Sequence, residues 1–148
     1  MHLSKRRPFS YGLMRRINFD RGLSSEAAIP WAIENAKHIL PSWIVLPIER
    51  ASMALDFKHG IDYIVNTTDV GKIYIQVKSS ELLAEKFRNE KGKYRRFTGI
   101  VVVDQKVNTP EEICLRVIRA LEPIHEMLLR MRGQVDRSLE IASSESPQ

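Results

Sequence analysis

Two apolar segments decide the fold: HGIDYIV at residues 59–65 and KIYIQVKSS at residues 72–80. Both are rich in β-branched and aromatic residues, which favour strands, and a short polar stretch separates them. Side chains alternate along a strand, so Gln76 and Lys78 share one face while the apolar residues around them share the other. The pattern therefore predicts a β-hairpin that carries polar groups on one face. Its strands are 61–65 and 72–78, joined by a polar turn at 66–71.

Helices and two further strands surround this hairpin. Apolar residues recur at helical spacing over 24–40, where Pro30 either lies near the first turn or kinks the helix. Thr109, Pro110 and Glu112 have the spacing of a capped helix start, and Pro123 is predicted to kink or divide that helix. The predicted order is helix 24–40, strands 43–48, 61–65 and 72–78, a helix from 80, strand 98–103 and a final helix. This order predicts an α/β sandwich, with strand 98–103 covered on both faces.

Length and composition predict one globular domain. The chain has 148 residues, of which 43% are hydrophobic and 28% charged. No uninterrupted apolar run approaches the roughly 18 residues of a membrane span, so no membrane association is expected. The single cysteine, Cys114, cannot form an internal disulfide, and its helical context favours a core position. This cysteine usage fits a reducing, cytoplasmic setting.

Positive charge is concentrated in two segments, 5–21 and 86–96, each with six basic residues and one acid. Aromatic residues are interleaved with both, which is typical of a nucleic-acid-binding surface, although a solvated basic surface is the alternative. The N-terminal segment is also Arg-rich like a transit peptide, but it lacks a clear amphipathic pattern. The candidate nucleic-acid-binding residues are Lys86, Arg88, Lys91, Lys93, Arg95 and Arg96. The predicted organisation is a basic arm at 1–22, a single domain at 23–132 and a disordered Ser/Glu-rich tail at 133–148.

The hairpin carries the residue types needed to hold a hard cation beside a phosphodiester. Asp62 supplies a carboxylate, Gln76 an amide oxygen and Val77 a backbone carbonyl, and Mg²⁺ prefers oxygen ligands. Lys78 supplies an ammonium group that can orient a nucleophile or stabilise developing negative charge. The alternatives are that Asp62 bonds to nearby backbone amides, and that Gln76 and Lys78 form an exposed strand face.

The elements Gly60-Ile61-Asp62 and Gln76-Val77-Lys78 resemble the motif of the PD-(D/E)xK nuclease superfamily, which has the restriction-endonuclease-like fold. The shared core of that superfamily runs helix, three strands, helix, strand, which matches the predicted order over roughly residues 24–104. The resemblance implies a nuclease that uses Mg²⁺ or Mn²⁺, with DNA favoured over RNA as the substrate and the choice between them left open. Cutting both strands of a duplex often uses two sites, so a homodimer is left open.

Many members of this superfamily also use a glutamate from the first helix. Glu26 borders the apolar face of the predicted helix and is favoured over Glu34, which points further away. Asp56 is either a second acid at the site or a turn residue. The resemblance thus implies catalytic roles for Asp62, Gln76, Lys78 and Glu26, and a metal held by Asp62, Gln76, Val77 and Glu26.

One feature departs from the common pattern, because Gln76 stands where many members have an acid. The change removes one negative charge from the metal site. A domain of the same fold that binds nucleic acid without cutting it is therefore the alternative function. A partner-binding α/β domain in which the motif arises by chance is the third.

Overall fold

The structure is a computed structural model that describes residues 24–104 and 109–145. The predicted basic arm at 1–22 lies outside the described residues. The helices are α1 (Ser24–Ala36), α2 (Met53–His59), α3 (Glu81–Arg88) and α4 (Pro110–Glu145), with 3₁₀ turns at Lys37–Ile39 and Arg95–Phe97. The strands are β1 (Ile44–Arg50), β2 (Tyr63–Thr67), β3 (Lys72–Lys78) and β4 (Thr98–Val102). The protein is therefore a mixed α/β fold, as the sequence predicted at the level of class.

The four strands form one sheet in the order β1-β2-β3-β4. The β1/β2 and β2/β3 pairs are antiparallel, whereas β3 and β4 are parallel and are joined through α3. Tyr63 lies opposite Ile75 in the predicted hairpin, and Val77 lies opposite Val101. The hairpin is confirmed, although β2 is assigned from residue 63 rather than 61.

The core lies between the sheet and the two helices α1 and α4. Its members are apolar residues at strand and helix spacing: Ile29, Ala32, Val65, Ile73, Ile75, Val101, Ile113, Val117 and Leu121, all 0 or 1% exposed. Gly99 on β4 permits this packing, because a Cβ there would lie 3.0 Å from the backbone oxygen of Ala120. Cys114 is fully buried, as predicted, and its Sγ lies 3.5 Å from the carbonyl oxygen of Ala32.

Helix α4 is longer than the sequence predicted. It continues through Pro123, so of the two outcomes predicted there, a kink or a division, the helix is not divided, and it extends to Glu145, within the segment 133–148 that was predicted to be a disordered tail. Proline removes one backbone hydrogen bond, but Leu121 and Ile124, on either side of it, pack on the core. Gly133 costs only about 1 kcal/mol in a helix interior, too little to end a helix of good helix formers. None of the helices in the described part of the chain is long and apolar enough to cross a membrane.

Helix α2 was not predicted, and it has clear boundary residues. The side chain of Ser52 accepts a hydrogen bond of 3.2 Å from the amide of Leu55 at its start. Gly60 ends it with φ of 66°, in the left-handed region that favours glycine. The helix matters for the site because it places Asp56 close to Asp62, which directly precedes β2.

Candidate metal centre

Asp62 is a buried carboxylate at the start of β2. Asp62 is only 4% exposed to solvent. Its backbone amide donates to the carbonyl of Ile75 at 2.8 Å, although the regular β2/β3 pairing already ends with Tyr63 opposite Ile75. Asp62 Oδ2 accepts a hydrogen bond of 2.7 Å from the backbone amide of Val77. The predicted acid is therefore fixed directly to the strand that carries the predicted Gln-x-Lys element.

Two further carboxylates converge on Asp62. Glu26 comes from the first turn of α1 and Asp56 from the first turn of α2, and one oxygen of each of the three acids lies within 4.8 Å of the others. The pKa of Asp62 is raised to about 8, first of all by burial and then by a hydrogen bond with Glu26 and the charges of Glu26 and Asp56. The hydrogen bond from the Val77 amide acts in the opposite direction. Three acids at this separation repel one another unless a proton or a cation lies between them.

Glu26 is oriented by two residues on neighbouring strands. Arg50 Nη2, on β1, donates to Glu26 Oε1 at 3.1 Å. The hydroxyl of Tyr63 donates to the backbone carbonyl of Glu26 at 2.9 Å and accepts from Arg50 Nη1 at 3.3 Å. These bonds hold the start of α1 against the sheet and direct its carboxylate towards Asp62.

Gln76 places a buried amide oxygen at the same end of the hairpin. The residue is 6% exposed, and its Oε1 has no hydrogen-bond partner among the described residues. Its Nε2 makes a long contact of 3.4 Å with the carbonyl of Val77. A Cβ on Gly60 would lie 3.1 Å from Oε1, so glycine leaves the space beside this oxygen open. A buried acceptor without a partner costs about 1–3 kcal/mol, and a bound cation would remove that cost.

Lys78 lies on the same face of β3 as Gln76, two residues along, as the strand period predicted. It is half-buried, and its Nζ lies 5.0 Å from the centre of the Phe87 ring on α3. Lys78 and Asp56 both line a cavity of about 260 Å³ between α2, β3 and the segment after α3. This cavity is called the side cavity below.

These groups fit a hard divalent cation. Carboxylates from three separate elements, the orphaned oxygen of Gln76 and the carbonyl of Val77 are all oxygen donors, the type that Mg²⁺ and Mn²⁺ prefer. The donors come from α1, α2, β2 and β3, so the folded chain is needed to assemble them.

Glu34 does not approach the carboxylate cluster, and His59 makes its contact elsewhere. Glu34 is exposed and lines a separate apolar cavity of about 370 Å³ between α1 and β1. His59 packs edge-on against Tyr94, with ring centres 4.8 Å apart. Of the two glutamates considered on the first helix, Glu26 is the one that approaches Asp62.

Five of the six predicted basic residues, all except Lys86, line a shallow depression of about 500 Å³ beside the side cavity. They differ in whether their charged groups already have partners within the protein. Arg88 pairs with Glu81 and Glu85 on its own helix, at 2.8 and 3.0 Å. Arg95 lies over the Phe87 ring and donates to the carbonyl of Thr98. The lysines of the set, Lys86, Lys91 and Lys93, are exposed.

Two contributors to the site were missed by sequence reasoning. Ser52 and Gly60 have the spacing of a helix start and stop, so α2 and the position of Asp56 had a readable signal. Arg50 had none, because its partner Glu26 is 24 residues away in the chain.

Comparison of the chain with protein-family models, curated proteins and solved structures gives no match. The functional interpretation therefore rests on the residues and their geometry.

Proposed function

We propose that this protein is a divalent-metal-dependent nuclease that hydrolyses phosphodiester bonds, with DNA as the favoured substrate, built on a restriction-endonuclease-like fold. The observation that carries the proposal is the meeting of the Glu26, Asp56 and Asp62 carboxylates, together with the unpartnered oxygen of the buried Gln76 on the strand to which Asp62 is hydrogen-bonded. A structural acidic cluster has no use for an additional buried acceptor without a donor. A cation-binding centre does, because such oxygens become ligands.

The chain's own groups have distinct roles in this proposal. Asp62, Glu26, Asp56 and Gln76 hold the cation, with the Val77 carbonyl as a further oxygen donor. When bound, Mg²⁺ or Mn²⁺ polarises the phosphate and favours hydroxide formation at neutral pH. Arg50 and Tyr63 keep the Glu26 carboxylate directed inwards, so the donor set is organised before substrate arrives.

Lys78 acts on the substrate side of the site. Its ammonium group is held by the ring of Phe87 at the wall of the side cavity, which also contains Asp56. From there it can donate a hydrogen bond to the attacking water or to a phosphate oxygen, and its charge opposes the negative charge that develops there. The exposed lysines of the 86–96 segment contact flanking phosphates, which position the strand without reading its sequence.

The alternative is a nucleic-acid-binding domain that has lost the chemistry. Gln76 in place of an acid favours this alternative, since the centre then has one negative charge fewer with which to attract a cation. The binding surface would be the same in both cases.

Cleavage assays separate these functions. We expect the protein to cut DNA with Mg²⁺ or Mn²⁺, and EDTA to stop it. Lys78→Ala should abolish cleavage, whereas Lys72→Ala, at the exposed far end of the same strand, should leave it unchanged. Circular dichroism checks that both variants fold. If the wild type cuts none of single-stranded, duplex and branched DNA or RNA while binding them, the binding domain is the correct interpretation.

A binding assay tests the electrostatic surface separately. Affinity for duplex DNA should fall with salt, with a log–log slope that weakens by about 0.9 for each phosphate contact removed. Lys91→Glu and Lys93→Glu should weaken that slope. Arg119→Glu makes the same charge change on an exposed part of α4 and should leave the slope nearly unaltered. If all three variants changed the slope equally, binding would depend on the net charge of the protein rather than on this surface.

A further inference from the structure

The side cavity next to the carboxylates has aromatic walls. Phe87 and Tyr94 line it, and it opens beside Lys78 and Asp56, so whatever occupies it lies next to the proposed cation. Its volume of about 260 Å³ lies just below the roughly 300–1,000 Å³ range of pockets for drug-sized ligands. The cavity therefore fits one planar ring system with a short polar extension rather than a larger ligand.

Tyr94 is held in place from several sides. Its ring makes T-shaped contacts with His59 and Tyr74, with ring centres 4.8 and 5.1 Å away. Its backbone carbonyl accepts hydrogen bonds from the Thr98 hydroxyl at 2.7 Å and from the Phe97 amide at 3.0 Å. A half-buried ring fixed in this way can receive a flat ligand with little loss of side-chain entropy.

The polar groups of the side cavity favour an anionic ligand. Four cationic side chains line it, against two acids, and glycine backbone replaces side chains at two further positions. The cations are Lys58, Lys78, Lys91 and Arg95, the acids are Asp56 and Glu90, and the glycines are Gly60 and Gly92. Aromatic walls combined with excess positive charge match a nucleotide, which joins a flat base to a phosphate.

We infer that the side cavity receives one unpaired nucleotide of the strand being cut, so the substrate is nucleic acid with a base outside the duplex at the reaction site. Inside a duplex both faces of a base are covered by its neighbours, and aromatic walls can reach only a base that has left the stack. The inference rests on the proposed function, because it takes the carboxylate cluster as the place where the adjoining phosphate lies.

Binding assays in EDTA test the side cavity without cleavage. Fluorescence anisotropy would compare the full chain on three labelled DNAs of equal length: a single strand, a fully paired duplex and a duplex with one bulged base. Stacking of a base on an aromatic ring corresponds to roughly a 5- to 160-fold gain in affinity. We expect the single strand and the bulged duplex to bind more tightly than the paired duplex by a factor in this range.

Substitutions at Tyr94 assign that preference to the side cavity. Tyr94→Leu should remove the preference, while Tyr94→Phe, which keeps the ring, should retain it. Lys86→Ala, at an exposed lysine that does not line the side cavity, should weaken all three DNAs by the same factor, because it removes charge and no stacking surface. Equal wild-type affinity for paired and bulged DNA would overturn the inference, even if Tyr94→Leu failed to fold. So would a Tyr94→Leu variant that folds and weakens every DNA equally.

Two further results separate this inference from a site for a free nucleotide and from the proposed nuclease function. Deoxyadenosine monophosphate that competes as well as the single strand would show a site for a free nucleotide and would overturn a site for a strand. Cleavage without any preference for unpaired DNA would leave the proposed nuclease standing and reject the stacking role. A clear preference for unpaired DNA without cleavage would leave the stacking role standing and reject the proposed nuclease.

Discussion

The Asp62 side chain and the Val77 backbone amide are joined by a hydrogen bond of 2.7 Å, which ties the start of β2 to the middle of the Gln-x-Lys element on β3. This bond fixes an acid in a buried position, where its charge is costly. The bond itself favours the ionised carboxylate, yet burial and the neighbouring acids outweigh it and raise the pKa of Asp62 to about 8. In the absence of a cation, ionisation of Asp62 is therefore energetically unfavourable.

The stability of the metal-free protein should depend on pH through Asp62. Its pKa rises from an ordinary 3.8 to about 8 on folding, so between these values the unfolded chain has lost a proton that the native state keeps. The free energy of unfolding should therefore fall as pH rises from about 4 to about 8, with no further change from this group above that.

The matched variant for this effect is Asp62→Asn, which has no proton to lose in that range. Its free energy of unfolding, measured by urea titration in EDTA, should gain on that of the wild type progressively from pH 4 to pH 8. A difference between the two proteins that stays constant across this range would mean that Asp62 ionises normally in the native state.

Substitutions of Gln76 should separate stability from cation binding. Gln76→Leu removes the unpartnered Oε1, so the metal-free protein should keep or gain stability, by up to about 1–3 kcal/mol, while Mn²⁺ binding weakens. Gln76→Glu adds a fourth acid, so the metal-free protein should lose stability and Mn²⁺ should bind more tightly. Thermal unfolding with and without Mn²⁺, together with calorimetric titration, measures both quantities. A Gln76→Leu protein that binds Mn²⁺ as well as the wild type would exclude Gln76 as a ligand.

Two glycines with positive φ provide a controlled comparison. Gly60 has φ of 66°, and a Cβ there would lie 3.0 Å from Phe87 and 3.1 Å from Gln76 Oε1. Gly71 in the hairpin turn has φ of 85° and open space around it. Both alanine variants should lose roughly 1–2 kcal/mol of stability from the backbone conformation. Gly60→Ala should lose more and should also weaken Mn²⁺ binding, which Gly71→Ala should leave intact.

The sequence was informative where the fold depends on local periodicity. The hairpin, the capped helices α3 and α4 and the shared face of Gln76 and Lys78 follow from residue spacing. The carboxylate cluster does not, since Glu26 is oriented by Arg50, a partner 24 residues away in the chain. Residues 133–145 continue α4 where a tail was predicted, because Ser/Glu-rich composition also suits the exposed end of a long helix. The nuclease function itself remains a prediction.

Outside the candidate centre, His125 joins α4 to the β2–β3 turn. Its Nε2 lies 2.9 and 3.0 Å from the two carboxylate oxygens of Asp69, and its ring stacks on Trp43 with centres 3.9 Å apart. Arg132 also donates to the backbone carbonyl of Asp69. The histidine is only 7% exposed, whereas the Asp69 side chain is 32% exposed, so their hydrogen bond is partly buried.

This contact should stabilise the fold measurably. His125→Phe keeps a flat ring against Trp43 but leaves Asp69 without the imidazole, so the free energy of unfolding should fall by about 1.5–3 kcal/mol, the range for hydrogen bonds to charged groups. His38→Phe, at an exposed position, should change it by no more than about 0.5 kcal/mol. Combining His125→Phe with Asp69→Asn in a double-mutant cycle isolates the pair, and the losses should be clearly less than additive. Additive losses would show that His125 and Asp69 are not energetically coupled, and a His125→Phe protein as stable as the wild type would show that the ring stabilises α4 through its stacking on Trp43 alone.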